Sequence, residues 1–231
     1  MTVKPRVKIC CISSVAEAEL AIRYGASALG LVSAMPSGPG VIDEGLIAEI
    51  AAYVPPPIAT FLLTSKQDAE AIIEQHRRLR TNTLQIVDRL ERGTYADLRA
   101  ALPGISLVQV IHVTGEESVD EAQAIAPQVD ALLLDSGNPA LTVKELGGTG
   151  RTHDWTISRR IREAVSKPIF LAGGLKAGNV AEAIHEVRPF GLDLCSGVRT
   201  GGKLDEVKLA HFFKQLAEAE TPPRKEGLDE R

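Results

Sequence analysis

The chain has 231 residues and a formal net charge of −4, with 44% hydrophobic and 24% charged residues. This length suits a single α/β barrel domain, and this composition is that of a globular protein with a sizeable core. The negative charge argues against a nucleic-acid partner. The basic residues Arg77, Arg78 and Arg80 do not change this expectation, since they belong to a polar helical stretch.

The amino terminus reads MTVKPRVKICC, with several charges and no long apolar run. We therefore expect neither a signal peptide nor a membrane span, and a cytoplasmic location is the default expectation. Cys10 and Cys11 are adjacent and Cys195 is distant, which is neither a disulfide framework nor the spacing of a zinc site. No metal and no cofactor are predicted.

Short β-rich runs alternate with longer amphipathic stretches along the chain. The runs predict strands at 7–12, 28–32, 58–63, 83–87, 106–113, 131–135, 168–172 and 191–195. The stretches predict helices at 15–24, 44–53, 66–79, 95–102, 118–126, 155–165, 177–187 and 205–217.

Strict alternation requires parallel strands with right-handed crossovers, in a doubly wound open sheet or a closed barrel. Eight units in this length favour a single (β/α)8 TIM barrel over residues 1–219. An open sheet would be expected to carry a glycine-rich turn after its first strand, where this chain reads CCISS at 10–14. The polar segment 220–231 contains two prolines and no apolar period, which predicts a disordered tail.

Glycines are concentrated after the last three predicted strands. Barrel sites lie at the carboxyl ends of the strands, and glycine lets backbone N–H groups approach an anion closely. Turn chemistry alone could explain one such loop, but three in succession favour phosphate binding. The predicted phosphate-binding residues are Gly148, Thr149, Gly150, Gly173, Gly174, Ser196 and Gly197.

Several short motifs follow one another in a specific order over nearly the whole chain. They are VKIC at 7–10, GASALG at 25–30, LLLDS at 132–136, GGTGRT at 147–152, DW at 154–155, LAGGL at 171–175, NV at 179–180 and DLCSGV at 193–198. In this order and spacing the chain resembles the phosphoribosylanthranilate isomerase family, which performs an Amadori rearrangement of tryptophan biosynthesis in a (β/α)8 barrel.

The resemblance implies that Cys10 is a general base and Asp135 a general acid. Such a reaction needs an acid to open the furanose ring and a base to remove the C2′ proton of the resulting Schiff base. Alternation along the first strand places Lys8, Cys10 and Ile12 on one face, where Lys8 would favour the Cys10 thiolate. Asp135 closes an apolar strand, where partial desolvation would keep a proton available.

Each of these residues also has a plainer interpretation. A cysteine on a strand is usually a small buried hydrophobic residue, and we interpret Cys11, placed with Ile9 on the opposite face, and Cys195 in that way. An aspartate at the end of a strand is commonly a turn or cap residue. Only the family resemblance favours catalytic roles for Cys10 and Asp135 over these plainer interpretations.

Three motifs depart from the family pattern. Family members usually carry an arginine in a Ser-Pro-Arg segment after strand 2, thought to meet the anthranilate carboxylate, but this chain reads PSGPG at 36–40. The usual Gln-Leu-His-Gly of strand 4 appears as QIVD at 85–88, and the usual Gly-Val-Glu after strand 8 appears as GVR at 197–199. The changes affect the region expected to hold the aromatic acid.

The expected substrate-binding residues are Lys8, Gln85, Asp193 and Arg199, and the Arg199 fork could take over the carboxylate contact. Three functions stay open: the isomerase itself, a paralogue acting on another phosphoribosyl amine or aminoaldose phosphate, and a non-catalytic barrel that binds a phosphoribosyl ligand. The expected partner is a small sugar phosphate, with neither nucleic acid nor membrane. Both a monomer and a homodimer are compatible with the sequence.

Overall fold

The computed structural model describes residues 5–138, 140–148 and 150–220. Within these residues, eight parallel strands close into a barrel in the order β1 to β8. The strands are β1 (Arg6–Ile9), β2 (Ala28–Val32), β3 (Ala59–Thr64), β4 (Thr83–Ile86), β5 (Ser106–His112), β6 (Ala131–Asp135), β7 (Ile169–Leu171) and β8 (Gly191–Leu194). The predicted TIM barrel is confirmed.

Helices follow the strands and surround the barrel. They are α1 (Val15–Tyr24), α2 (Glu44–Tyr53), α3 (Ala69–Leu79), α4 (Tyr95–Ala101), α5 (Glu117–Ile125), α6 (Trp155–Ala164), α7 (Val180–Val187) and α8 (Glu206–Glu220). Side-chain caps determine several starts: Asp68 accepts hydrogen bonds from the amides of Glu70 and Ala71, so α3 begins at Ala69 rather than at the predicted residue 66.

Two apolar layers hold the barrel together. Residues that point outward from the strands, such as Ile9 and Leu29, pack against the helices. Residues that point inward fill the barrel, where the rings of Phe61 and Phe170 meet edge to face with centroids 5.7 Å apart. The single polar exception among the largest completely buried side chains is Lys8, whose stem crosses this inner layer.

The end of the first strand differs from the sequence prediction. Strand β1 stops at Ile9, and Cys11 has a φ of +62°, in the left-handed region. This turn reverses the alternation of side chains, so Cys11 joins the inner layer and Ile12 the outer one. The prediction that Ile12 shares the face of Lys8 and Cys10 is therefore wrong, because it assumed an extended strand as far as residue 12.

The chain after β8 contains short elements that the sequence did not indicate. A 3-10 turn (Ser196–Val198) leads into a two-stranded hairpin of β9 (Arg199–Thr200) and β10 (Lys203–Leu204), before α8. Helix α8 ends at Glu220, and residues 221–231 of the predicted tail lie outside the described residues. In the described part of the chain no helix is long and apolar enough to cross a membrane.

Candidate active site

An ion pair lies inside the barrel near the carboxyl ends of β1 and β8. Lys8 and Asp193 are register partners on these strands, and Lys8 Nζ donates to Asp193 Oδ2 at 2.8 Å. Burial by itself lowers the pKa of Lys8, but the carboxylate of Asp193 and the thiol of Cys10 raise it, and the net shift is upward. Lys8 therefore carries a stable positive charge at the floor of the site.

Cys10 follows β1 directly and lies beside this charge. Its amide donates to the Leu194 carbonyl at 2.7 Å, and its side chain belongs to the inner layer. A Cβ built on Gly30 of β2 would lie 2.8 Å from Cys10 Sγ and 3.1 Å from Lys8 Nζ, so the thiol and the ammonium group face the same space. The structure therefore places the Cys10 thiol beside the Lys8 ammonium group.

Asp135 ends β6, and β7 and β8 separate that strand from β1. Its Oδ1 accepts the Ser136 amide at 2.7 Å, and its Oδ2 lies against Gly147. Asp135 and Asp193 line one small cavity of about 30 Å³ together with Gly173 and Ser196. The predicted acid and the buried ion pair therefore open onto the same mouth of the barrel.

The glycine loops after β6, β7 and β8 form one end of this mouth, which we call the phosphate end (residues 148, 150, 173–174 and 196–197). It continues into an open cavity of about 420 Å³. Gly174 has a φ of +61°, and a Cβ there would lie 2.8 Å from the backbone of Arg151 and Thr152. A Cβ on Gly197 would lie 1.9 Å from the Leu175 carbonyl oxygen, so a side chain is excluded at both positions.

The structure brings together six of the seven predicted phosphate-binding residues, and Thr149 lies outside the described residues. It also adds residues that the motifs did not reveal. Lys176, Lys208 and His211 line the larger cavity, and Lys208 Nζ donates to the Arg199 carbonyl at 2.7 Å. The sequence did not indicate them clearly, because Lys208 and His211 lie on α8, which the β9–β10 hairpin separates from β8.

His153 is a further polar neighbour of the phosphate end. Its Nδ1 lies next to Gly173, and its Nε2 is 2.6 Å from Ser158 Oγ. Burial lowers the pKa of His153 to about 4, despite the nearby carboxylates of Asp135 and Asp154. The imidazole is therefore neutral at physiological pH.

A family model described as N-(5'phosphoribosyl)anthranilate (PRA) isomerase matches residues 7–215 of the chain. The chain belongs to this family. An N-(5'-phosphoribosyl)anthranilate isomerase of Methanosarcina acetivorans is 33% identical over 228 residues, which cover 93% of this chain and 94% of the relative. Isomerase 2 of Methanosarcina mazei is 35% identical over 209 residues, which cover 90% and 92%.

Solved structures of this isomerase family have the same barrel. The isomerase of Thermotoga maritima superposes with a TM-score of 0.77 at 27% identity, covering 93% of this chain and 99% of its own. A phosphoribosylanthranilate isomerase in complex with reduced 1-(o-carboxyphenylamino)-1-deoxyribulose 5-phosphate has a TM-score of 0.74 at 26% identity, with the same coverage. Another T. maritima structure is described as monomers generated from a dimeric isomerase. The family resemblance predicted from the motifs is confirmed.

Four buried polar atoms at the mouth have no hydrogen-bond partner within the described residues: Gln85 Oε1, His112 Nδ1, His153 Nδ1 and Asp193 Oδ1. Gln85 lies on β4, as predicted, and is 3% exposed. His112 ends β5, and its Nε2 lies 2.9 Å from the Val87 carbonyl oxygen, to which it can donate a hydrogen bond. Unsatisfied buried polar groups of this kind are costly unless a ligand satisfies them.

Arg199 does not have the position that the sequence predicted. Its guanidinium is buried, with Nη1 and Nη2 each 3.1 Å from a carboxylate oxygen of Glu17 on α1. Nη2 also donates to the carbonyls of Cys10 and Cys11, at 3.1 and 2.6 Å. Nη1 also donates to the Gly202 carbonyl at 3.0 Å, and only Nε has no partner among the described residues. The prediction of a substrate-binding Arg199 is corrected, because both terminal nitrogens are bound within the protein and no free pair of donors is left for a carboxylate.

A different cation, Lys144, lies in the loops at the mouth of the barrel. Lys144, in the irregular segment after β6, places Nζ 2.6 Å from Asp88 Oδ2, at the end of β4. The carbonyl of Lys144 accepts the Ser37 hydroxyl at 2.5 Å, which joins this segment to the loop after β2. We call Asp88 and Lys144 the aglycone end. Because the segment of Lys144 has no period or motif, nothing in the sequence indicates this pair.

The described residues contain no group of three His, Cys, Asp or Glu side chains arranged to hold a metal ion. The polar groups at the mouth are instead single donors and acceptors attached to separate strands. Such an arrangement suits acid–base chemistry carried by side chains.

Proposed function

We propose that this protein catalyses the Amadori rearrangement of N-(5'-phosphoribosyl)anthranilate to 1-(o-carboxyphenylamino)-1-deoxyribulose 5-phosphate in tryptophan biosynthesis. The observation that carries this proposal is that a thiol, a carboxyl and three phosphate loops share one barrel mouth in a chain of this family. The catalytic residues are Cys10 and Asp135.

The reaction needs two proton transfers at one face of the substrate. Asp135 donates a proton to the furanose ring oxygen as the C1′–O bond breaks, and the aglycone nitrogen lone pair forms the C1′=N bond of a protonated Schiff base. The Cys10 thiolate then removes the C2′ proton, and the electron pair becomes the C1′=C2′ bond of an enolamine. Protonation at C1′ and loss of the C2′ hydroxyl proton give the ketone.

The Lys8–Asp193 pair lies between the two catalytic groups. The charge of Lys8 interacts with Cys10, and that of Asp193 with Asp135. The ammonium group therefore lies beside the proposed base, and the Asp193 carboxylate lies near the proposed acid. Lys8 and Asp193 act as positioning residues, and Asp193 Oδ1 is a free acceptor for a sugar hydroxyl.

The substrate phosphate binds at the phosphate end in this proposal. Ser196 begins a 3-10 turn, so its amide and that of Gly197 are free of helical partners and can donate to phosphate oxygens. Lys176 and Lys208 line the same cavity and add positive charge. The anthranilate carboxylate binds at the aglycone end, where Lys144 replaces the arginine that the loop after β2 lacks.

The test follows loss of phosphoribosylanthranilate fluorescence with wild type, Cys10→Ala and Asp135→Asn. We expect each variant to lose activity by roughly 10²-fold to 10⁴-fold, because each removes one proton transfer. Asp120→Asn, an exposed acid on α5, is the matched control and should keep wild-type turnover. Wild-type turnover in both Cys10→Ala and Asp135→Asn would reject the assignment.

The aglycone end supports a second candidate, a paralogous isomerase of another phosphoribosyl amine, because Asp88 already neutralises Lys144. An active enzyme that turns over a neutral phosphoribosyl amine faster than the anthranilate would favour this paralogue. Absence of turnover with thermal stabilisation by ribose 5-phosphate would favour the binding barrel. A homodimer stays a prediction, which sedimentation of the purified chain tests directly.

A further inference from the structure

Two thiols that the proposed mechanism does not use meet at the mouth of the barrel. Cys11 Sγ and Cys195 Sγ are 2.8 Å apart, at the ends of the neighbouring strands β1 and β8. Both cysteines are free. A disulfide needs sulfur atoms about 2.05 Å apart, so bond formation requires the two atoms to approach by only about 0.8 Å.

The backbone of Cys11 produces this approach. A φ of +62° lies in the left-handed region, which is unfavourable for a residue with a Cβ. In an extended strand Cys11 would face the helices, but the left-handed turn directs its side chain into the inner layer, beside Cys195. Strained backbone conformations are concentrated at functional sites, so this turn is a candidate functional position.

The two thiols differ in access. Cys11 is buried under the loop after β2, where a Cβ on Gly40 would lie 2.4 Å from the Cys11 Cβ. Cys195 is half-buried and lines the small cavity beside Ser196. A small reagent therefore reaches Cys195 first, and Cys11 stands behind it within bonding reach.

The charges around the pair favour attack by Cys195. Its hydrogen bond with Cys11, together with the Arg199 guanidinium, outweighs burial and lowers the pKa of Cys195. Hydrogen bonds with Cys10 and Cys195, and burial, raise the pKa of Cys11. One partner is thus the nucleophilic thiolate and the other the resolving thiol.

We propose that Cys11 and Cys195 form a reversible intramolecular disulfide, a modification site that joins β1 to the phosphate end. The oxidant is a low-molecular-weight disulfide, RS–SR. The Cys195 thiolate attacks one sulfur, the S–S bond breaks, and RS⁻ leaves and takes a proton from solvent. Cys11 loses its proton to solvent and attacks Cys195 Sγ, a second RS⁻ leaves, and the reagent has been reduced to two RSH.

The disulfide has a consequence for the site. Arg199 Nη2 binds the carbonyls of both Cys10 and Cys11, so a shift of Cys11 is transmitted to the backbone of Cys10. Ser196 follows Cys195 directly and carries an amide of the phosphate end. Because small displacements of reacting groups are costly, oxidation should lower turnover by roughly tenfold or more. This second readout rests on the proposed function.

The experiment exposes the protein to oxidised glutathione, unfolds it in guanidinium chloride at about pH 8 with excess iodoacetamide, which alkylates free thiolates, and measures intact mass. Reduced wild type has three alkylated cysteines. We expect oxidised wild type to have one, to have lost two hydrogen atoms, and to recover all three sites with dithiothreitol. Cys10→Ala should form the disulfide as wild type does, whereas Cys195→Ser should not.

Cys11→Gly supplies a variant that suits the left-handed backbone, and its melting temperature reports whether it folds. It should form no disulfide. Three alkylated cysteines in oxidised wild type would reject the proposal, as would a glutathione adduct that never resolves or a disulfide that persists in Cys11→Gly. Loss of turnover that dithiothreitol restores in wild type, but that is absent in Cys195→Ser, supports the consequence for the site. If reduced protein has no turnover, the proposed function fails while the thiol count still decides the disulfide.

Discussion

The phosphate end of the site consists of backbone groups, whereas the aglycone end consists of side chains. At the phosphate end, backbone groups of three successive βα loops converge, and glycines make their approach possible. At the aglycone end, two side chains meet from loops that are 56 residues apart in sequence, as Asp88 binds Lys144. A backbone site depends on local turn geometry, whereas a side-chain site depends on how distant loops pack.

The largest expected effect breaks the phosphate end. Gly174→Ala puts a Cβ 2.8 Å from backbone atoms at a φ of +61°, so the backbone of the loop must shift. We expect affinity for ribose 5-phosphate to fall roughly 100-fold, because charge-assisted hydrogen bonds from the loop backbone to the phosphate would be lost. Titration calorimetry measures this affinity.

Gly201→Ala is the matched control, because Gly201 has a φ of +57° with no atom within 4 Å of its Cβ position. It carries the same backbone strain without the clash, and should cost about 1 kcal/mol of stability while affinity stays at the wild-type value. Equal losses of affinity in both variants would show that strain alone, and not proximity to the ligand, explains the first result.

A smaller effect sharpens the role of the aglycone end. Lys144→Met should raise KM for the anthranilate substrate about tenfold with little change in kcat, because it removes a cation from binding rather than from proton transfer. Asp88→Asn should leave KM equal or lower, since it frees Lys144 from its partner. Steady-state kinetics measure both, with the exposed Lys203→Met as control. A rise in KM with Asp88→Asn would contradict carboxylate binding by Lys144.

The smallest expected effect concerns the ion pair between Glu17 and Arg199. Burial raises the pKa of Glu17, but hydrogen bonds from Arg199 and two backbone amides lower it more, so the net shift is downward. Its ionised form therefore stabilises the fold above the ordinary glutamate pKa of about 4.3, and this contribution is lost as pH falls further, through the lowered folded value. Glu17→Gln should cost about 1 kcal/mol at pH 7.

Urea unfolding at pH 7 and in steps below pH 4 measures that difference. The gap between wild type and Glu17→Gln should close as the solution becomes more acidic, while Glu49→Gln, at an exposed position on α2, shows no gap at either pH. A gap that widens in acid would have the wrong sign for a carboxylate held by Arg199.

Much of the fold could be read from periodicity. Alternation of β-rich and amphipathic stretches predicted each strand of the barrel, and the errors lie at the ends of elements. The cap at Asp68, for example, starts α3 at Ala69, three residues after the predicted start at residue 66. Caps depend on single hydrogen bonds and not on the apolar period, which is why periodicity misplaces them. The turn at Cys11 was missed for a related reason: a left-handed residue other than glycine has no compositional signal.

The candidate site was predicted less evenly. Cys10 follows β1, Asp135 ends β6, and the glycine loops lie in the connections after β6, β7 and β8, so chain order places them at the carboxyl ends of a parallel barrel. Arg199 also follows a strand, but its pairing with Glu17 of α1 removes it from the mouth. Adjacency to a strand end determines which side of the barrel a residue occupies, and it does not determine what its side chain contacts.

The sequence by itself determined the barrel, the family and the glycine loops of the phosphate end, because those properties follow from hydrophobic periodicity, motif order and turn chemistry. Tertiary structure alone decided the pairing of Lys144 with Asp88, since the two meet only after the loops following β2 and β6 have packed together. It also decided the pairing of Cys11 with Cys195, because the left-handed backbone at Cys11 reverses its side chain toward a strand that is distant in sequence and adjacent in the closed barrel.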